Sequence, residues 1–140
     1  MVRAYRRARP GVREPKLAGW MERLTPADRE VFRAHGVNLV GSLLAYLDAR
    51  HQRAAQILAT AELQAGSYGA DAARLGASLS DAVEEFLRFR RPFVDELAQL
   101  ARRRRLDTRE ATGLLAQAEA ALDRMLIVLM LGHKRISGQA

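Results

Sequence analysis

The chain is expected to be all-α, and three features of its sequence lead there. Apolar residues recur at helical spacing in every long segment, helix-capping residues stand at the breaks between segments, and no strand pattern is present. The expected architecture is a bundle of about five helices, one short and four long, with a globin-like arrangement of the same helices as the alternative. At 140 residues the chain makes one domain. A domain of this size buries roughly two-thirds of its unfolded surface, so its core needs no metal or disulfide staple. We expect a basic arm or linker over 1–16, the bundle over 17–136 and a disordered tail over 137–140.

The short helix lies in "EPKLAGWMERL", where Leu17, Trp20, Met21 and Leu24 fall on one face. Next, "TPAD" is a strong helix start: Thr25 caps, Pro26 fits the first helical position, and Asp28 brings a negative charge to the positive helix end. Phe32, His35, Leu39, Leu43 and Leu47 then form a packed face. No glycine or proline marks its end, so the turn is placed at Asp48 to His51 with Asp48 as the capping residue.

The third helix is expected from Gln52 to Leu75, closed by Gly76 in the left-handed conformation. Its inward stripe of Ala54, Leu58, Ala61, Ala65, Tyr68, Ala72 and Leu75 is mostly alanine, which permits close helix approach. Gly66 and Gly69 each cost about 1 kcal/mol relative to alanine in a helix interior. They call for either close packing or space for a ligand beside Tyr68.

Ser78 and Asp81 form a capping-box pair, and the stripe that follows runs through Leu79, Val83, Phe86, Leu87, Phe93, Val94, Leu97 and Leu100. It passes straight across Pro92. An interior proline removes one backbone hydrogen bond and crowds the carbonyl of Arg88, at a cost of about 3 kcal/mol, so a kink held by packing is expected. Arg102 to Arg105 close this helix, where cations favour the negative dipole end, and Asp107 with Glu110 opens the last. The last helix carries Leu114, Leu115, Ala118, Leu122, Met125, Leu126 and Leu129 inward. Its "MLIVLML" segment is apolar on every side, more than one face of a monomer can bury. A symmetric dimer through Met125, Ile127, Val128 and Met130 is therefore expected.

Charge and chemistry narrow the function. The formal charge is +7, but six of the basic residues stand in the first 16 positions against Glu14 alone, so the body is nearly neutral. Arginine outnumbers lysine 21 to 2 throughout, a bias that reads as genomic base composition. The chain has no cysteine, which removes thiol catalysis and zinc-thiolate sites. Its three histidines form no metal-ligand spacing, and no phosphate loop or nucleophile elbow is present. We expect no enzyme, no metal and no cofactor. Glu84 with Arg88 and Arg91 with Asp95 are spaced as helix-surface ion pairs. His35 falls on an apolar stripe, where a histidine is either hydrogen-bonded within the core, lines a ligand pocket or serves as an axial ligand. A pocket, if Gly66, Gly69 and the Pro92 bend leave room, lies between the third and fourth helices, lined by Tyr68, Phe86, Phe89 and Phe93 with His35 reaching in. No apolar run is long enough to span a membrane and the start lacks a signal-peptide core, so a cytoplasmic protein is expected.

The succession "LAGWMERL", "TPADREVFRAHGVNLVGSLLAYL" and "YGADAARLGASLSDAVEEFLRFR" resembles the N-terminal sensory domain of RsbR/RsbRD-type stress-response co-antagonists. The likeness covers Leu17 to His133 and rests on the glycine after Tyr68, the G-x-S-L break at Gly76 to Leu79, and the following helix with Phe86 and Arg88 to Arg90. Pro92 departs from that pattern. The resemblance implies a non-enzymatic sensory and dimerisation domain of a bacterial signalling or transcription regulator, binding a small ligand between helices. The basic start "RAYRRARPG" would then be the join to a DNA-binding module. The alternative is a nucleic-acid-binding protein that uses Arg3, Arg6, Arg7 and Arg9 of the arm together with Arg102 to Arg105.

Overall fold

The structure is a computed structural model that describes residues 19–49 and 51–138. Leu17 and the arm arginines Arg3, Arg6, Arg7 and Arg9 lie outside the described residues. Among the described residues the bundle has five helices: α1 (Gly19–Glu22), α2 (Pro26–Asp48), α3 (His51–Arg74), α4 (Leu79–Arg103) and α5 (Thr108–Ser137). No strand occurs among the described residues, and no helix there is long and apolar enough to cross a membrane.

The starts of the long helices follow local chemistry. The Thr25 hydroxyl accepts the Asp28 amide at 3.1 Å, with Pro26 next to the cap. Capping boxes open both α4 and α5: Ser78 accepts from the Asp81 amide at 3.1 Å and Asp107 from the Glu110 amide at 2.7 Å, each reciprocated by the acidic side chain. The third helix begins and ends one residue earlier than the sequence suggested; at its end the chain turns out of the helix as Ala77 donates back to the Ala72 carbonyl at 2.9 Å. That places Gly76, at φ +88°, one position beyond the helix cap. The turn after α4 repeats these bonds, Leu106 donating to Ala101 at 3.1 Å and Arg105 to Arg102 at 3.0 Å, with Arg105 at φ 53°.

Side-chain bonds fix the neighbours. His35 with Asp71 and Ser42 with Gln64 make α2 and α3 antiparallel. Arg90 reaches Glu119 at 2.5 Å and Asp123 at 2.8 Å, while His133 bonds the Ala77 carbonyl just before α4, so α4 and α5 are also antiparallel. Between α3 and α5, Glu62 pairs with Arg124, Gly66 faces Val128, and Gly69 lies against Leu129 and the His133 amide, so these two run parallel. The order in space is α2, α3, α5, α4. Although consecutive in the chain, α3 and α4 barely touch.

The α3–α5 contact decides why Gly66 and Gly69 are present. A Cβ on Gly69 would overlap the Leu129 carbonyl oxygen, and one on Gly132 would overlap the Gly66 carbonyl oxygen. The glycines therefore serve backbone-to-backbone packing, not an open space beside Tyr68. Leu43, Leu44, Leu97, Leu122, Met125 and Leu129 fill the centre of the core. Three surface expectations do not hold: Leu87 is exposed, Met125 is wholly buried, and Arg91 and Asp95 do not form an ion pair. Leu87 sits one position past Phe86, already outside the inward stripe of α4. The Glu84–Arg88 pair is present at 3.9 Å. Helix α4 runs unbroken through Pro92.

Candidate functional site

The cluster that stands out chemically lies where α1, α2 and α3 meet, with Glu85 of α4 acting on it. Arg29 of α2 holds α1 in place by donating to the carbonyls of Met21 at 3.0 Å and Glu22 at 2.8 Å. This seats Trp20 edge-on against Phe32, with ring centroids 5.0 Å apart. Phe32 in turn meets Tyr68 at 5.3 Å, and His35, one turn further along α2, meets both Phe32 and Tyr68. Edge-to-face geometry of this kind adds about 0.5–1.5 kcal/mol per pair beyond the area it buries.

Polar groups surround these rings. His35 Nε2 and Asp71 Oδ2 are 2.7 Å apart, and the Arg74 guanidinium donates to Asp71 Oδ1 at the same distance. Glu85 approaches Tyr68 from α4: burial holds the Tyr68 phenol well above its ordinary range, and the Glu85 charge raises it further. Burial likewise pushes the Glu85 carboxyl above the usual carboxylate range; Arg88 lowers it and Glu84 raises it. Two enclosed atoms here have no hydrogen-bond partner among the described residues, Trp20 Nε1 and Glu85 Oε2. A third such atom, His133 Nδ1, lies on the buried histidine whose Nε2–H donates to the Ala77 carbonyl at 2.7 Å. Each orphaned group costs about 1–3 kcal/mol of desolvation, so their concentration at one end of the bundle is chemically meaningful.

The five residues expected to line a pocket fall into two groups. His35 and Tyr68 belong to the cluster just described. Phe86, Phe89 and Phe93 form a separate row along α4, with centroids 5.7 and 5.6 Å apart. No ring contact joins the groups among the described residues. Of the expected interface residues, Val128 packs beside Gly66, Met130 is half-buried and Ile127 is exposed. No group of three or more metal-ligating side chains occurs among the described residues.

Sequence reasoning missed Trp20, Asp71, Glu85 and His133 as polar members of the site. The spacing of His133 was informative: it continues the buried series Leu122, Met125, Leu129 by four residues. Glu85 lies between Ala82 and Phe89 at helical spacing, on the flank of the buried face of α4. Compared with known proteins, the chain matches no family model, no curated protein and no solved structure.

Proposed function

We propose that the chain is a non-enzymatic sensory and dimerisation domain of a bacterial signalling or transcription regulator, acting in the cytoplasm. Its ligand-responsive part is the seam around Phe32 and Tyr68. The observation that supports this reading is an orphaned donor, Trp20 Nε1 on the ring that packs against Phe32, and an orphaned acceptor, Glu85 Oε2 on the carboxylate whose charge acts on Tyr68. A small ligand carrying both an acceptor and a donor would satisfy both groups. The resemblance to RsbR-type sensory domains points the same way. His35 and Asp71 are engaged with each other and Tyr68 retains its proton, an arrangement suited to holding a molecule more than to transforming one.

The dimerisation half rests on the outward side of α3 and α5. Leu63, Ile127 and Leu131 are 74%, 49% and 60% exposed, and the Glu62–Arg124 ion pair brings this stretch of the two helices into register. A second copy pairing through these residues would cover them. Native mass spectrometry of the freshly purified chain tests both halves. The expected result is twice 15.6 kDa plus an adduct that disappears in Glu85→Gln. A bare 15.6 kDa species would overturn the proposal, whereas a monomer that keeps the adduct would remove dimerisation alone.

A further inference from the structure

The two turns that flank α4 have the same backbone and opposite side-chain choices. After α3, the left-handed position is Gly76 and the second residue of the next helix is Ser80. The nearby Arg74 is paired with Asp71. After α4, the left-handed position is Arg105 and the second residue of the next helix is Arg109. Both choices carry a local cost: a Cβ is strained at positive φ, even where the α4 dipole end favours the charge of Arg105, and a cation in the first turn of a helix opposes its dipole. The first turn serves as an internal control, showing what this backbone takes when only folding is at stake.

The charge at the second turn is only partly offset by the local carboxylates Asp107 and Glu110. Arg102, Arg104, Arg105 and Arg109 are exposed, and none forms an ion pair with a described residue. The carboxylates closest in sequence are committed elsewhere, Asp107 and Glu110 to the capping box and Glu96 to Arg103 at 2.9 Å. The arginine-rich composition accounts for arginine in place of lysine. It does not account for a cation where the matching turn has glycine.

We propose that this α4–α5 corner docks the phosphate backbone of nucleic acid, a role beyond the sensory one. Guanidinium groups bind phosphate bidentately, and four of them at one corner provide a sequence-independent electrostatic footprint. An acidic membrane surface fits less well, because none of the large exposed apolar side chains, Val31, Val37, Leu63, Leu87, Ile127 and Leu131, lies in the corner to insert into lipid.

The test is fluorescence anisotropy of a labelled mixed-sequence DNA duplex titrated with the full chain at rising KCl. Wild type should bind with a log–log salt slope of about −3 to −4, as expected for four phosphate contacts. Arg105→Gly should make that slope shallower by about one, while the variant melts at a higher temperature than wild type. These opposite shifts distinguish a docking residue from a structural one. The arm is intact in every variant, so unchanged affinity in a combined Arg102→Gln, Arg104→Gln and Arg109→Gln protein assigns any binding to the arm and overturns the proposal. Binding to phosphatidylserine vesicles without binding to the duplex also overturns it.

Discussion

Gly69 and Gly132 are the positions at which a single methyl group matters most. At both, an added Cβ would meet carbonyl oxygen of the facing helix, which cannot rotate away as a side chain would. Gly69→Ala and Gly132→Ala should each destabilise the fold by about 3 kcal/mol, the upper part of the overpacking range, measured by chemical denaturation. Gly41 and Gly113 are the contrast, helical glycines with nothing within 4 Å of the added carbon. Alanine there should stabilise by about 0.5–1 kcal/mol. Glu85 makes the second prediction at this scale. Its carboxyl is raised in the folded state, so the fold binds that proton more tightly than the unfolded chain does, and its contribution to stability falls as pH rises through the interval between the unfolded and folded values. Glu85→Gln should therefore melt higher than wild type at neutral pH, and the gap should close as the buffer is taken down to the ordinary carboxylate range. Gly69 was legible as a position that needed a reason, whereas Gly132 was not singled out, and the neighbours of both, Leu129 and Gly66, are brought to them by tertiary packing. Glu85 gave no signal of its burial in the sequence, because that burial depends on tertiary packing and not on spacing within its own helix.

The helices themselves are where sequence carried most. Thr25, Ser78 and Asp107 were identifiable as caps because capping is settled within four residues, and all three accept the expected amides. Ser78→Ala and Asp107→Ala should each lower stability by about 1 kcal/mol in thermal or chemical unfolding. Helix pairing was less legible. Arg90 was read only as part of the Arg88 to Arg90 stretch that carries the resemblance, yet it joins α4 to α5 through two carboxylates with its own side chain largely buried. Arg90→Ala should cost about 1–3 kcal/mol, and the loss should be smaller in high salt, since both partner carboxylates are substantially exposed. Pro92 shows the limit of local rules in the other direction. A residue that breaks most helices sits within one here, which requires the packing of Phe86, Phe93 and Leu97 on both sides of it to outweigh the lost bond.

For the molecule as a whole, the all-α class could be read from periodicity alone, but the spatial order could not. Periodicity says which face of a helix is buried and is silent on what covers it. The "MLIVLML" segment illustrates this: its excess of apolar residues signalled more than one contact, and the structure divides it among the core at Met125 and Leu129, the α3 contact at Val128, and the outward positions Ile127 and Leu131. If that outward surface pairs with a second copy, Ile127→Asp should convert a dimer to a monomer in sedimentation without lowering helix content. The order α2, α3, α5, α4 has a consequence for how the chain is made. On the ribosome α3 and α4 emerge one after the other, yet neither is the other's main partner, and the seat of α5 on α3 stays vacant until the last helix has been translated. Packing α3 on α4 in the meantime would be the quickest contact to form and would have to be undone. Synthesis paused before α5 should therefore expose the apolar faces of α3 and α4 together, making the incomplete nascent chain a client for chaperones that hold unfolded segments.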